Sequence, residues 1–209
     1  QKAEAFFASA GKAQMEVYRI EQFEPVLQDP QFHGKFYDGD SYVVIRRNDK
    51  DFDIHYWHGK HATVDEQASA AAFTVQLSDN LPLPSRHHLE LMMEETQLFL
   101  SYFKAGLFYL EGGVDSGFKH VVPKEYEHKL YIVKGKRYPR VWTVEMKADS
   151  LNEGDVFILD LGMRLYFWPG QEANVNEKVK GMEIIMNIKN GERGAHPEIF
   201  YPREGDEQV

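Results

Sequence analysis

Hydrophobic positions along this chain follow two periods, and the alternation between them occurs twice. Runs rich in Val, Ile and aromatic residues at Tyr42–Arg46, Asp53–Trp57, Val156–Leu161 and Arg164–Trp168 predict strands. The segments EVYRIE, Glu16 to Glu21, and KLYIVK, Lys129 to Lys134, read as opening strands of the two halves. A helical period takes over in TVDEQASAAAFTVQLSDNL, where Ala70, Phe73, Leu77 and Leu81 form one apolar stripe. Thr63 suits the N-cap of that helix, and Glu66, three residues on, completes a capping box. Asn174 and Glu177 take the same places before KVKGMEIIMNI.

The punctuation repeats as well. YDGDSYVVI, Tyr37 to Ile45, and NEGDVFILD, Asn152 to Asp160, each set a Gly-Asp pair at the mouth of a strand. Trp57-His58-Gly59 and Trp168-Pro169-Gly170 close the next strand, and Glu66 and Glu177 each follow their Trp by nine residues. Repetition at just over a hundred residues implies two homologous domains, each α+β, and not a solenoid. The expected organisation is an N-terminal extension at 1–15, a first domain at 16–120, a linker at 121–128, a second domain at 129–202 and a tail at 203–209. Pro123 and alternating charge mark the linker.

Composition narrows the class. At 209 residues, 43% hydrophobic and 13% aromatic, the chain can build packed cores. No run approaches the roughly 18 apolar residues of a membrane helix, so no transmembrane segment is expected. The absence of Cys excludes disulfides and thiolate metal sites and fits a reducing, cytoplasmic setting. A net charge of −9 argues against general nucleic-acid binding and suits a chain that takes cations or basic surfaces. Within that acidic chain Lys124, Lys129, Lys134, Lys136, Arg137 and Arg140 cluster, opposed only by Glu125 and Glu127. They form either a solvated strand face or a docking patch for acidic protein or phospholipid.

The Gly-Asp pairs and helix-start Glu residues offer hard oxygen ligands from separate segments, as calcium prefers. Turn chemistry and capping explain the same residues without a metal, and both readings stand at this level. His58 with His61, and His87 with His88, lack a third ligand at zinc spacing. GLFYLEGGVDSG, Gly106 to Gly117, is Gly-rich but lacks the Lys-Ser/Thr ending of a phosphate loop. No nucleophile elbow or dinucleotide fingerprint occurs, so no enzyme is expected. On the first long helix, Asp65, Ala68, Ser69, Ala72, Gln76 and Asp79 lie opposite the bulky stripe. Small residues there either admit a close partner surface or simply raise helix propensity.

Taken together, KFYDGDSYVV, IHYWHG, DEQASAAAFTVQL, FLSYFKAGL, GGVDSGFKHV, VKGKR and GDVFILDLG resemble the first two domains of gelsolin and of its relatives severin, fragmin and villin. The resemblance runs in order from about Glu16 to about Tyr201. It implies two domains, each a mixed central sheet between one long and one short helix. It further implies a cytoskeletal protein that binds actin, severs and caps filaments, and is regulated by calcium. One calcium site would comprise the Gly39 carbonyl, Asp40, Glu66 and the Val114 carbonyl. A second would comprise Gly154, Asp155 and Glu177; the family completes it with a later acid, which does not follow in this sequence, so weaker binding is expected there.

The resemblance also carries a partner surface. The small-residue face of the first helix matches the one that enters a cleft on the actin monomer, and Phe118, Lys119 and His120 match a linker running along actin. Lys136, Arg137 and Lys178 fall where the second domain grips the filament side, overlapping a phosphoinositide-binding region. Where relatives often carry an acid that helps trap calcium against actin, this chain has Ser78, leaving Glu90 and Asp79 as candidates for that bridging ion. Val156 and Pro169 replace a cysteine pair of secreted relatives, which supports an intracellular setting. Sequestering or nucleating actin without severing is the alternative, and a calcium-dependent hydrolase lacks any visible catalytic constellation.

Overall fold

A computed structural model of the chain describes residues 2–114, 127–191, 193 and 196–202, with side chains from Phe6 onward. Phe118, Lys119 and His120, most of the expected linker and the tail at 203–209 lie outside the described residues. The described residues form two compact units, one of 2–102 with 110–114 and the other of 103–109 with the residues from 127 onward.

In the first unit a short helix, α1 (Lys2–Ser9), precedes the hairpin β1 (Met15–Glu21) and β2 (Glu24–Leu27). There follow β3 (Lys35–Tyr37), β4 (Ser41–Arg47), β5 (Phe52–His58), the long α2 (Val64–Asn80), β6 (Ser85–Leu91) and α3 (Gln97–Ser101). The sheet order is β2-β1-β4-β5-β6, antiparallel except for the parallel β5–β6 pair. Strand alternation gives the sheet two apolar faces. Ile20, Val43, Ile45 and Ile54 meet Ala70, Phe73 and Leu77 of α2. On the other face Phe99 of α3 packs against the rings of Phe36 and His55. The stripe read from the sequence is therefore the buried edge of α2, and Phe6 and Phe7 of α1 cover its flank beside Phe73.

The second unit repeats this plan. Its strands are β7 (Leu107–Leu110), β8 (Lys129–Lys134), β9 (Arg140–Val144), β10 (Val156–Asp160), β11 (Arg164–Pro169) and β12 (Glu198–Phe200), with α4 (Val175–Asn190) before the last. The order β12-β11-β10-β8-β9 reproduces β6-β5-β4-β1-β2, and β7 extends it by pairing parallel to β9. Tyr42 opposes Trp57 in one unit as Phe157 opposes Trp168 in the other, so the two repeats share register. Ile184 and Ile185 of α4 pack on Val133, Val156, Ile158 and Phe167. The opposite face carries Leu130, Ile132 and Phe157 under Leu151 and Trp168, beside a single 3-10 turn at Ala148–Ser150. The mixed α+β architecture expected from the sequence is thus present. No helix among the described residues is long and apolar enough to cross a membrane.

Candidate functional site

The repeated motifs meet at one end of each sheet. Gly59 donates its N–H to the Asp40 carbonyl at 2.9 Å, and Gly170 donates to the Asp155 carbonyl at 2.8 Å. A Cβ on Gly59 would sit 2.2 Å from the Asp38 carbonyl oxygen, and one on Gly170 2.4 Å from that of Glu153. Only glycine allows the backbones that close. This is why Trp-x-Gly accompanies Gly-Asp in both halves.

In the first unit Asp40 is 1% exposed. Its Oδ1 accepts the Val114 N–H at 3.0 Å, and its Oδ2 accepts a hydrogen bond from Arg19 Nε at 2.7 Å and lies in ion-pair contact with Nη2 at 2.5 Å. Gly39 is tied to the same loop by donating to the Gly112 carbonyl at 2.8 Å. Glu66, buried at the third position of α2, spends Oε2 on the Thr63 N–H and hydroxyl at 3.0 and 3.1 Å. Burial pushes the Asp40 pKa up, the Val114 amide and Arg19 pull it back, and the nearby Glu66 charge adds to the rise. The structure thus brings Gly39, Asp40, Glu66 and Val114 to one corner. The donor set fits a hard divalent ion: two buried carboxylates lie near enough for the Glu66 charge to act on Asp40, only Asp40 holds the Arg19 guanidinium, and Glu66 Oε1 makes no hydrogen bond among the described residues. Only two carboxylates take part, and no group of three or more His, Cys, Asp or Glu able to hold a metal occurs among the described residues. Any remaining ligands must be carbonyls or water.

The second corner is more fully occupied by the protein itself. Asp155 Oδ2 takes Lys134 Nζ at 3.2 Å and Asn152 Nδ2 at 2.9 Å. Glu177 gives Oε1 to the Gly135 N–H at 2.8 Å and Oε2 to the Asn174 N–H at 3.1 Å. Gly154 donates its own N–H to Asn152 Oδ1. Both Glu177 oxygens hold backbone amides, so this set fits a cation less well than the first.

The outward face of α2 is open. Asp65, Ala68, Ala72, Gln76 and Asp79 are exposed, and Ser69 is partly so. Sequence reasoning missed Val64 and Val75, which lie at helical spacing along this face with exposures of 79% and 52%. Exposed β-branched residues in register with small ones were the available signal. Glu90 and Asp79 are not brought together. Ser78 touches Ser85 at the start of β6, whereas Glu90 lies five residues further along, roughly 16 Å of strand. Glu90 is fully buried and accepts from His55 Nδ1 and from the amide and hydroxyl of Thr96. Of the histidines, His58 meets Ser41 and His88 stacks on His55 while contacting Asp53, whereas His61 and His87 are exposed.

Lys136, Arg137 and Lys178 gather at the N-terminus of α4. Asn174 and Asn176 donate to the carbonyls of Gly135 and Lys136, tying the β8–β9 turn to the helix start. Lys136 and Arg137 are exposed there and Lys178 partly so. The helix dipole disfavours cations at that end, so the cluster is not a helix-stabilising device.

This arrangement has known relatives. The gelsolin repeat family matches residues 22–100 and 138–208. Gelsolin of Gallus gallus is 39% identical over 98% of this chain and 27% of its own length. Advillin of Mus musculus is 42% identical over 98% of this chain and 26% of its own. A Platymeris rhadamanthus protein named actin depolymerising venom protein gelsolin 1 is 41% identical over 90% of this chain and 52% of its own. The chain belongs to the gelsolin-repeat family. It spans about a quarter to a half of the length of these curated relatives.

Proposed function

We propose that this chain is a calcium-responsive actin-binding module, without enzymatic activity, that severs and caps filaments in the cytoskeleton. The observation that carries the reading is the outward face of α2, where Ala68 and Ala72 sit exposed between Val64 and Val75 on a helix anchored by a capping box. A rigid helix with small and apolar residues outward suits insertion into an apolar cleft. The name of the Platymeris relative, and the family resemblance, supply actin as the partner. In this reading the basic cluster at the start of α4 binds the acidic filament side, and the phosphates of phosphoinositides compete for it. The α2 face then wedges between filament subunits. The corner at Gly39, Asp40, Glu66 and Val114 holds calcium, which would supply positive charge between the two carboxylates and fix the start of α2; the corner at Gly154, Asp155 and Glu177 holds it more weakly.

Pyrene-actin assays with and without calcium test this function. Rapid loss of filaments at substoichiometric protein is the expected result. Slowed assembly in strict proportion to added protein would replace severing by sequestering, and no effect on actin would end the reading.

A further inference from the structure

We propose that Arg19 is a built-in competitor for calcium at Asp40: its guanidinium occupies the carboxylate and must be displaced for the metal to enter, so Arg19 sets the affinity of the site. This rests on the calcium reading of the corner and goes beyond it by naming what opposes the ion.

Asp40 is nearly inaccessible, and the Arg19 side chain is only 16% exposed, so their pair is desolvated rather than a screened surface contact. Two guanidinium nitrogens converge on Oδ2 while the Val114 amide takes Oδ1. Calcium needs those oxygen lone pairs, and a divalent ion beside an in-place guanidinium meets like charge at close range. The displaced arginine has a second partner ready. Glu21 lies on the same face of β1, with its Oε1 3.9 Å from Arg19 Nη1, and is partly solvated. Moving from Asp40 to Glu21 would let the guanidinium leave without a charge being stranded in the core. Arg19 Cζ also lies 4.5 Å from the centroid of the Tyr37 ring, a contact that its displacement would have to break or carry along.

The second unit shows that this arginine is separate from the shared motif. Arg19 pairs with Tyr42 across the sheet, and the residue pairing with the equivalent Phe157 is Ile132. The base at Asp155 is instead Lys134, two residues further along its strand, with one contact at 3.2 Å and 56% exposure. The repeat keeps the acid and changes the base. The base therefore holds Asp40 strongly and Asp155 weakly, while at the second corner it is the amides on Glu177 that occupy the oxygens.

Calorimetric titration with calcium chloride alone tests this on the full chain. Arg19→Gln should bind calcium at the first site roughly tenfold more tightly than wild type, since the local negative charge rises. Arg19→Lys keeps the charge but loses the two-nitrogen grip, and should fall between the two. It carries the test if the Gln variant fails to fold. Glu21→Gln removes the alternative partner and should weaken calcium binding a few-fold, whereas Lys134→Gln should shift the second site by less than about threefold. Calcium binding by wild type with unchanged or weaker affinity in both Arg19 variants would overturn the competitor role and leave the calcium reading standing. No calcium uptake by wild type or any variant would overturn both.

Discussion

Asp40 and Asp155 occupy equivalent places in the two repeats, but their surroundings set different consequences for substitution. Asp40→Asn keeps the shape that accepts the Val114 amide while removing one of the two negative charges at a corner suited to calcium. Affinity for a hard ion follows ligand charge, so calorimetry should show a large loss at the first site and a smaller calcium-induced rise in Tm. Asp155→Asn should do less, because Glu177 already commits both oxygens to backbone amides. Equal and undiminished binding in both variants would mean that the carboxylates serve only the turns. A third acid has no counterpart in the motif. Burial alone would raise the Asp53 pKa, but hydrogen bonds from Arg86, His88 and Asn48 hold it well below the usual carboxylate value. With a depressed folded pKa, its stabilisation is complete above the unfolded value of about 3.9 and is lost as pH falls below it. Urea unfolding from pH 3 to 7 should show Asp53→Asn less stable at neutrality, with a shallower loss below about pH 4. The Gly-Asp acids were legible because they repeat. Asp53 and Arg19 were not, since the partners that matter most to them, Arg86 and His88 for Asp53 and Asp40 for Arg19, lie more than twenty residues away and leave no local pattern.

Both long helices were readable as elements because caps and apolar period agree: Thr63 with Glu66 and Asn174 with Glu177 form the capping boxes expected from sequence. β2 and β6 were less legible. Their burial does not alternate cleanly, and SRHHLEL is held in the sheet by its parallel neighbour and the Asp53 network rather than by its own pattern. The short α1, rooted by Phe6 and Phe7, also carried no cap signature. Closer helix–sheet packing separates the repeats at one position. Gly181 stands against Val156, where an added Cβ would lie 2.7 Å from Cγ1 and 3.0 Å from Phe167 Cε2. Gly181→Ala gains about 1 kcal/mol of helix propensity and costs about 1–3 kcal/mol in overpacking. A net loss in Tm is expected, and a stabilised variant would mean that the interface relaxes freely. The β8–β9 turn makes a charge prediction. Lys136→Glu with Arg137→Glu should weaken cosedimentation with actin filaments, most strongly at low salt, and spare monomer binding. Unchanged filament binding would leave the cluster as a solvated turn.

Over the whole molecule, duplication was the most informative feature of the sequence, because it exposed the motif twice and with it the shared sheet order. What it hid were the differences laid over the shared plan: Arg19 against Lys134, an exposed apolar edge on α2, and α3 against a 3-10 turn. The proposed division of labour places monomer binding on the first unit and filament-side binding on the second. That division requires the outward face of α2 to contact actin, which sedimentation velocity of actin monomer with wild type and Ala72→Arg can detect. Ala72 is exposed, and the buried residues Phe73 and Leu77 are untouched, so the variant should keep the wild-type Tm. A one-to-one complex is expected with wild type and none with the variant at the same concentrations. An equally stable complex with Ala72→Arg would contradict this and place the actin contact elsewhere.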